Sequence, residues 1–104
     1  MRRLRQDDVV EVLSGKDRGR RGQIRELQPE KGRVIVQGVN IVKKHMKARQ
    51  LGTQAGIIEV EAPLHWSKVA VVCLDCDHRT RVGFRRRTDG VKVRFCRRCE
   101  EDLD

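Results

Sequence analysis

Four cysteines fall in two pairs, Cys73-x2-Cys76 and Cys96-x2-Cys99, with 19 residues between the pairs. That spacing belongs to four-thiolate zinc sites: each C-x2-C turn offers two sulfurs, and two turns complete the tetrahedron that zinc prefers. All four positions are cysteine, so no coordination position is left for water or substrate, and the expected zinc is structural. His78 lies close by and reads as an exposed residue, not a ligand. Asp77 follows the first pair, where the turn favours a left-handed backbone; aspartate tolerates that conformation better than most residues. Two other chemistries use such pairs. A redox C-x-x-C belongs in a context of alternating strands and helices, which this sequence lacks. Disulfides need an oxidising compartment, whereas MRRLRQDD has no apolar run after its basic residues and VAVVCL at 69–74 is too short to span a bilayer. A cytoplasmic protein is expected.

A second chemistry is electrostatic. Residues 15–22 read GKDRGRRG, with three glycines and four cations in eight positions. A nucleotide P-loop needs Gly-Lys followed by Ser or Thr, and a dinucleotide fingerprint needs Gly-x-Gly-x-x-Gly opening a helix; neither is present. Valines before the stretch and Ile24 after it argue for a tight connection between strands instead of a disordered tract. Glycine supplies positive φ or close backbone approach there, and Lys16, Arg18, Arg20 and Arg21 then project from a rigid turn beside Gly19 and Gly22. A solvated hairpin with incidental charge is the plainer reading of the same residues.

The whole chain supports a polyanionic partner. It has 104 residues, 24 Lys+Arg against 15 Asp+Glu, a formal charge of +9 and a pI near 10.1. One Trp, two Phe and no Tyr cannot form much of a base-stacking platform, so phosphates, sugars and shape should dominate recognition, as is usual for folded RNA. Further candidate contacts are Lys43, Lys44, His45, Lys47 and Arg49 in one segment and Arg85, Arg86 and Arg87 in another. Arg79, Arg97 and Arg98 flank the cysteines and rank below these, since they offset the charge of a zinc–thiolate cluster. No nucleophile is paired with a histidine and an orienting carboxylate; neither an enzyme, a small-molecule substrate nor a membrane partner is expected.

The elements that must position these groups are short strands. VVEVL at 9–13, QIREL at 23–27, the alternating start of RVIVQGVNIV at 33–42, IIEVEAP at 57–63 and SKVAVV at 67–72 are strand candidates, with a turn at QPEKG. Gly38 suggests a bulge or a close backbone approach. Residues 43–56 show no period and read as a long exposed loop. No helical period persists. An all-β chain with a small β-barrel over 1–72 follows. Between the cysteine pairs, RTRVGFRR and VKVRF flank Asp89-Gly90, a hairpin signal, with Val82, Phe84, Val91, Val93 and Phe95 as its apolar contacts. This predicts a zinc-ribbon hairpin over 73–99. Residues 73–104 are fewer than the roughly 40 at which a small domain folds without a staple, and zinc would supply the missing free energy. An acidic tail, 100–104, is expected to be mobile.

DVVEVLSGKDRGRRGQI resembles a KOW motif, and VIVQGVNIVKKH and GIIEVEAPLHWSKV resemble the bacterial large-subunit ribosomal protein L-twenty-four family. The resemblance covers roughly residues 5–72. It implies an SH3-like barrel that binds large-subunit ribosomal RNA, acts early in subunit assembly beside neighbouring ribosomal proteins, and lies near the nascent-chain tunnel exit. It also implies that 46–56 is an extended hairpin. KOW motifs occur in transcription factors as well, so a polymerase-contacting factor is the alternative.

Overall fold

A computed structural model describes residues 3–46 and 56–103, without the side chains of His45 and Met46. The strands are β1 (Val9–Val12), β2 (Arg21–Gln28), β3 (Arg33–Val36), β4 (Ile41–Met46), β5 (Gly56–Glu61), β6 (Leu64–His65), β7 (Val69–Cys73), β8 (His78–Thr80), β9 (Val82–Arg86) and β10 (Lys92–Cys96), with a 3-10 turn at Trp66–Lys68. Valine-rich alternation produces the barrel. Val10, Val12, Ile24, Val34, Val36, Val69 and Val71 turn one way and are buried together with Val39 and Val82, while the intervening polar residues face water.

Six strands form one antiparallel sheet in the order β6-β3-β2-β1-β7-β8. Val34 near one edge and Val71 near the other share a core, so the sheet curls around it as a small barrel. The sheet runs through residue 73 without a break, because β8 pairs with β7. A register shift between Ile24 and Glu26 bends β2, as a β-bulge does. The fold is thus an all-β barrel with a cysteine-bearing ribbon hairpin, β9–β10, packed on it.

Three sequence expectations need correction. Residues 43–46 are not loop: they continue β4 and pair with β5, Lys43 opposite Glu59 and Lys44 opposite Ile58. Ile41, Val42, Lys43 and Lys44 are all exposed, so neither face carries the burial pattern that makes a strand visible in sequence. Residues 47–55, and with them Lys47, Arg49 and the tip of the expected hairpin, lie outside the described residues. Gly38 serves a turn, with φ of +74° and open space where a Cβ would stand, so the bulge or close approach expected there is absent. The tail is fastened. Asp102 bridges to Phe95, the Leu103 N–H donates to the Arg94 carbonyl at 2.8 Å, and Leu103 packs against the barrel core.

The ribbon's apolar residues also divide between its faces instead of clustering together. Register pairs Val82 with Cys96 and Phe84 with Arg94 on one face, and Val93 with Arg85 on the other. Val82 and Phe84 meet the barrel core, whereas Val91 is 47% exposed. Beside Phe84, Arg94 is only 3% exposed and bonds both carboxylate oxygens of Asp8, at 2.7 and 3.0 Å, and the Arg3 carbonyl at 2.8 Å. This ion pair fastens the ribbon to the segment that leads into β1.

Candidate metal centre and nucleic-acid interface

Each cysteine pair begins on the last residue of a strand, Cys73 on β7 and Cys96 on β10, and ends in the turn beyond. The two turns are built alike. The Asp77 N–H donates to the Cys73 carbonyl and the Glu100 N–H to the Cys96 carbonyl, both at 2.7 Å. Both Asp77 (φ +56°) and Glu100 (φ +66°) take the left-handed conformation. The backbone N–H groups of Arg98 and Cys99 point at the Cys96 sulfur, at 3.3 and 3.4 Å.

The four sulfurs lie within 4.8 Å of one another, with Cys73–Cys99 at 3.6 Å and Cys76–Cys96 at 3.9 Å. A tetrahedron with Zn–S bonds of about 2.3 Å has edges of about 3.8 Å, so these separations fit the ion. They are far too long for a disulfide, whose S–S bond is about 2.05 Å. Cys73 and Cys96 are fully buried and the other two half-buried.

Without metal, burial opposes ionisation of Cys96. The Thr80 hydroxyl and the N–H groups of Cys99 and Arg98 outweigh it and bring the thiol down to about 6. At Cys99 the Glu101 N–H favours the thiolate, but burial and the neighbouring thiols prevail and push it up to about 12. Burial also raises Cys76. One sulfur is therefore ready as a thiolate, and an arriving cation would have to displace protons from its neighbours. His78 turns its Nδ1 to the Cys76 carbonyl at 2.5 Å, and among the described residues the cluster consists of the four cysteines alone.

The basic turn lies at the other end of β1. Gly15 (φ +91°) and Gly19 (φ +87°) supply its left-handed positions, and the Gly19 N–H closes it on the Val12 carbonyl at 2.8 Å. Lys16, Arg18 and Arg20 are exposed. Lys16 reaches the Ile41 carbonyl at 3.2 Å, and the Asp17 carboxylate accepts the Asn40 N–H at 2.9 Å. The turn is thereby fixed to the root of the β4–β5 arm that carries Lys43 and Lys44, which joins the two basic segments.

Other expected contacts sit differently. Arg21 belongs to β2, not to the turn. Its guanidinium spans Glu11 at 3.1 Å and Asp77 at 2.7 Å, with a further bond to the Asp77 carbonyl at 3.1 Å. These carboxylates hold its pKa above the usual arginine value, through the Asp77 hydrogen bond foremost and the Glu11 bond next. Arg21 thus connects the barrel to the first cysteine turn. Gly22 is where backbones crowd: a Cβ there would stand 2.5 Å from the Gln37 oxygen and 2.9 Å from Val36 Cγ1. On the ribbon, Arg85 is held by Asp102 at 2.6 Å and the Glu100 carbonyl at 2.7 Å. Arg86 bonds the Gly90 carbonyl at 3.1 Å, and Arg87 faces Asp89 at 3.9 Å. Sequence reasoning missed the roles of Asp8, Arg94 and Asp77. Their only signal is charge set within strand-like alternation or at a turn, which does not separate a clamp from a solvated side chain.

A curled β-barrel with a glycine-shaped basic turn, joined to a four-cysteine ribbon, defines a class of KOW proteins. The family model described as the KOW motif matches residues 6–37, and that described as the C-terminal domain of large ribosomal subunit protein uL24 matches residues 39–103. Curated large ribosomal subunit proteins uL24 from Fervidobacterium nodosum and Pseudothermotoga lettingae are each 51% identical over 102 residues. They cover 98% of this chain and 95% and 97% of their own lengths. The same protein of Thermotoga maritima is 50% identical over 102 residues. The chain belongs to the uL24 family of ribosomal proteins. Its role is structural, in the large subunit of bacterial cytoplasmic ribosomes, and not enzymatic.

Proposed function

We propose that this chain binds large-subunit ribosomal RNA through the turn at 15–20 and the adjoining root of the β4–β5 arm, and that its cysteine ribbon holds one structural zinc. The single observation that carries the RNA reading is the attachment of the turn to the arm root through Lys16–Ile41 and Asp17–Asn40. It presents Lys16, Arg18, Arg20, Lys43 and Lys44 together, with no ion pair to Lys16, Arg18, Lys43 or Lys44 among the described residues. Rigid presentation lowers the ordering cost of meeting phosphates. Gly19 and Gly22 shape this surface. His45, Lys47 and Arg49, which follow Lys44 in sequence, are proposed as further contacts, and Arg86 and Arg87 add cations at the ribbon tip. Arg21 and Arg85 serve it indirectly, as internal fastenings. A barrel docked this way early in assembly, beside neighbouring ribosomal proteins at the rim of the nascent-chain tunnel, suits the family's structural role.

Binding to transcribed large-subunit RNA tests the reading. The variant K16Q/R18Q/R20Q should weaken affinity and reduce the slope of log K against log salt by about 0.7–0.9 for each lost phosphate contact. An unchanged slope would refute the assignment.

A further inference from the structure

The ribbon face opposite the barrel core carries, beside the buried Val93, a second arrangement of cations that the sequence ranked low. Strand register places Phe95 directly opposite Gly83. The ring lies so close over this glycine that a Cβ there would stand 2.5 Å from Phe95 Cε1 and Cζ. Two guanidinium groups flank the ring, Arg85 at 4.7 Å from its centroid and Arg97 at 5.6 Å. The opposite face, with Val82, Phe84 and Arg94, is turned to the barrel.

The two arginines differ in what remains free. Arg85 spends its Nε and Nη2 on Asp102 and the Glu100 carbonyl. Arg97 is exposed and, among the described residues, has no carboxylate partner, while its guanidinium lies over the Phe95 ring. Arg98 follows it, also exposed and without an ion pair among the described residues. A guanidinium stacked on an aromatic ring is oriented while its N–H edge stays open, and such a planar fork matches a phosphate. Gly83 and the Arg85–Asp102 pair hold the ring in place, and the ring in turn holds Arg97.

We propose that this face is a second RNA-contact surface, with Arg97, oriented on Phe95, gripping the RNA backbone and Arg98 beside it. The partner chemistry follows from charge complementarity: open guanidinium donors with no acid paired to them suit a polyanion. The proposal rests on the RNA-binding reading above and relocates the ribbon's principal contact from Arg85–Arg87 to Arg97.

The test uses the full, zinc-loaded chain and transcribed large-subunit RNA, with R97Q, R97K, F95L and K16Q compared across a salt series. R97Q should weaken binding several-fold and lower the salt slope by about 0.7–0.9, one phosphate's worth. R97K should recover the slope but only part of the affinity, because a lysine lacks the fork. F95L should weaken binding while leaving the slope near the parent value. Zinc content, measured on each variant, should stay at the parent's level. If R97Q binds like the parent while K16Q is weakened, the second surface is refuted and the barrel reading stands. If R97Q loses zinc, Arg97 serves the cluster and the proposal fails. If the parent chain itself does not bind, the RNA reading fails first.

Discussion

Removal of the Asp8 carboxylate should be one of the costliest single changes outside the cysteines. Asp8 accepts Arg94 through both oxygens, at 2.7 and 3.0 Å, and the Arg5 N–H at 2.8 Å. The side chains are 3% exposed for Arg94 and 14% for Asp8. Breaking a buried pair from one side costs about 3–5 kcal/mol, because the remaining charge stays out of water. Arg94 keeps the Arg3 carbonyl and Asp8 is not wholly buried, so the lower end applies, about 3 kcal/mol for Asp8→Ala. For a domain near 100 residues this corresponds to a fall in Tm of roughly 12–24 °C. Urea unfolding at a fixed free zinc concentration measures it, with zinc held constant because bound metal adds its own stabilisation. The double variant Asp8→Leu/Arg94→Met replaces both charges with apolar side chains and should return to within about 1 kcal/mol of the parent. If Asp8→Ala unfolds within about 0.5 kcal/mol of the parent, as an ordinary surface substitution would, the ribbon is not fastened through this pair.

Metal analysis should find one zinc per chain, with thiols unreactive until a chelator is added, and Cys96→Ser should lose the metal. The dependence on pH has a definite sign: Cys76 and Cys99 hold their protons more tightly than free thiols do, so a cation must displace protons to bind, and metal-linked stability falls as pH drops from 8 to 5. Thermal unfolding with and without chelator, from pH 5 to 8, reads this directly; a chelator effect that persists undiminished at pH 5 would contradict it. Gly22→Ala should cost about 1–3 kcal/mol in urea unfolding, since the new methyl meets backbone oxygen and cannot be accommodated by a rotamer change alone. Parent-like stability would show that β2 and the Gln37 turn can separate freely.

The parts legible in the sequence were those with a period or a fixed chemical spacing. Valines alternating at 34 and 36 marked a buried strand face, and the apolar run at 67–72 marked a strand. Paired cysteines marked the cluster, and Asp89-Gly90 marked the ribbon turn, where Gly90 takes φ of +86°. Residues 43–46 escaped because a two-stranded arm with solvent around it has no inner face to pattern. Arg94 escaped for the opposite reason: it sits at a buried strand position but carries a charge, and only its distant partner, 86 residues away in the chain, accounts for it. Arg21 looked like one more cation in a basic run. Its partners, Glu11 on the adjacent strand and Asp77 in the cysteine turn, become neighbours only once β1, β2 and β7 have paired. Leu103, the one aliphatic side chain in an acidic terminus, gave too little pattern to reveal that it packs.

The pairing of β8 with β7 has a consequence for the subunit before it meets its particle. β8 begins directly after the first cysteine turn, with His78 opposite Cys73, and covers the hydrogen-bonding side of β7 that β1 leaves open. If the ribbon holds zinc as proposed, loss of the ion would loosen the turn that leads into this short cover and leave a valine-rich strand with open backbone donors and acceptors, a template for joining another chain. The cation would then act as a guard against self-association during the interval between synthesis and incorporation.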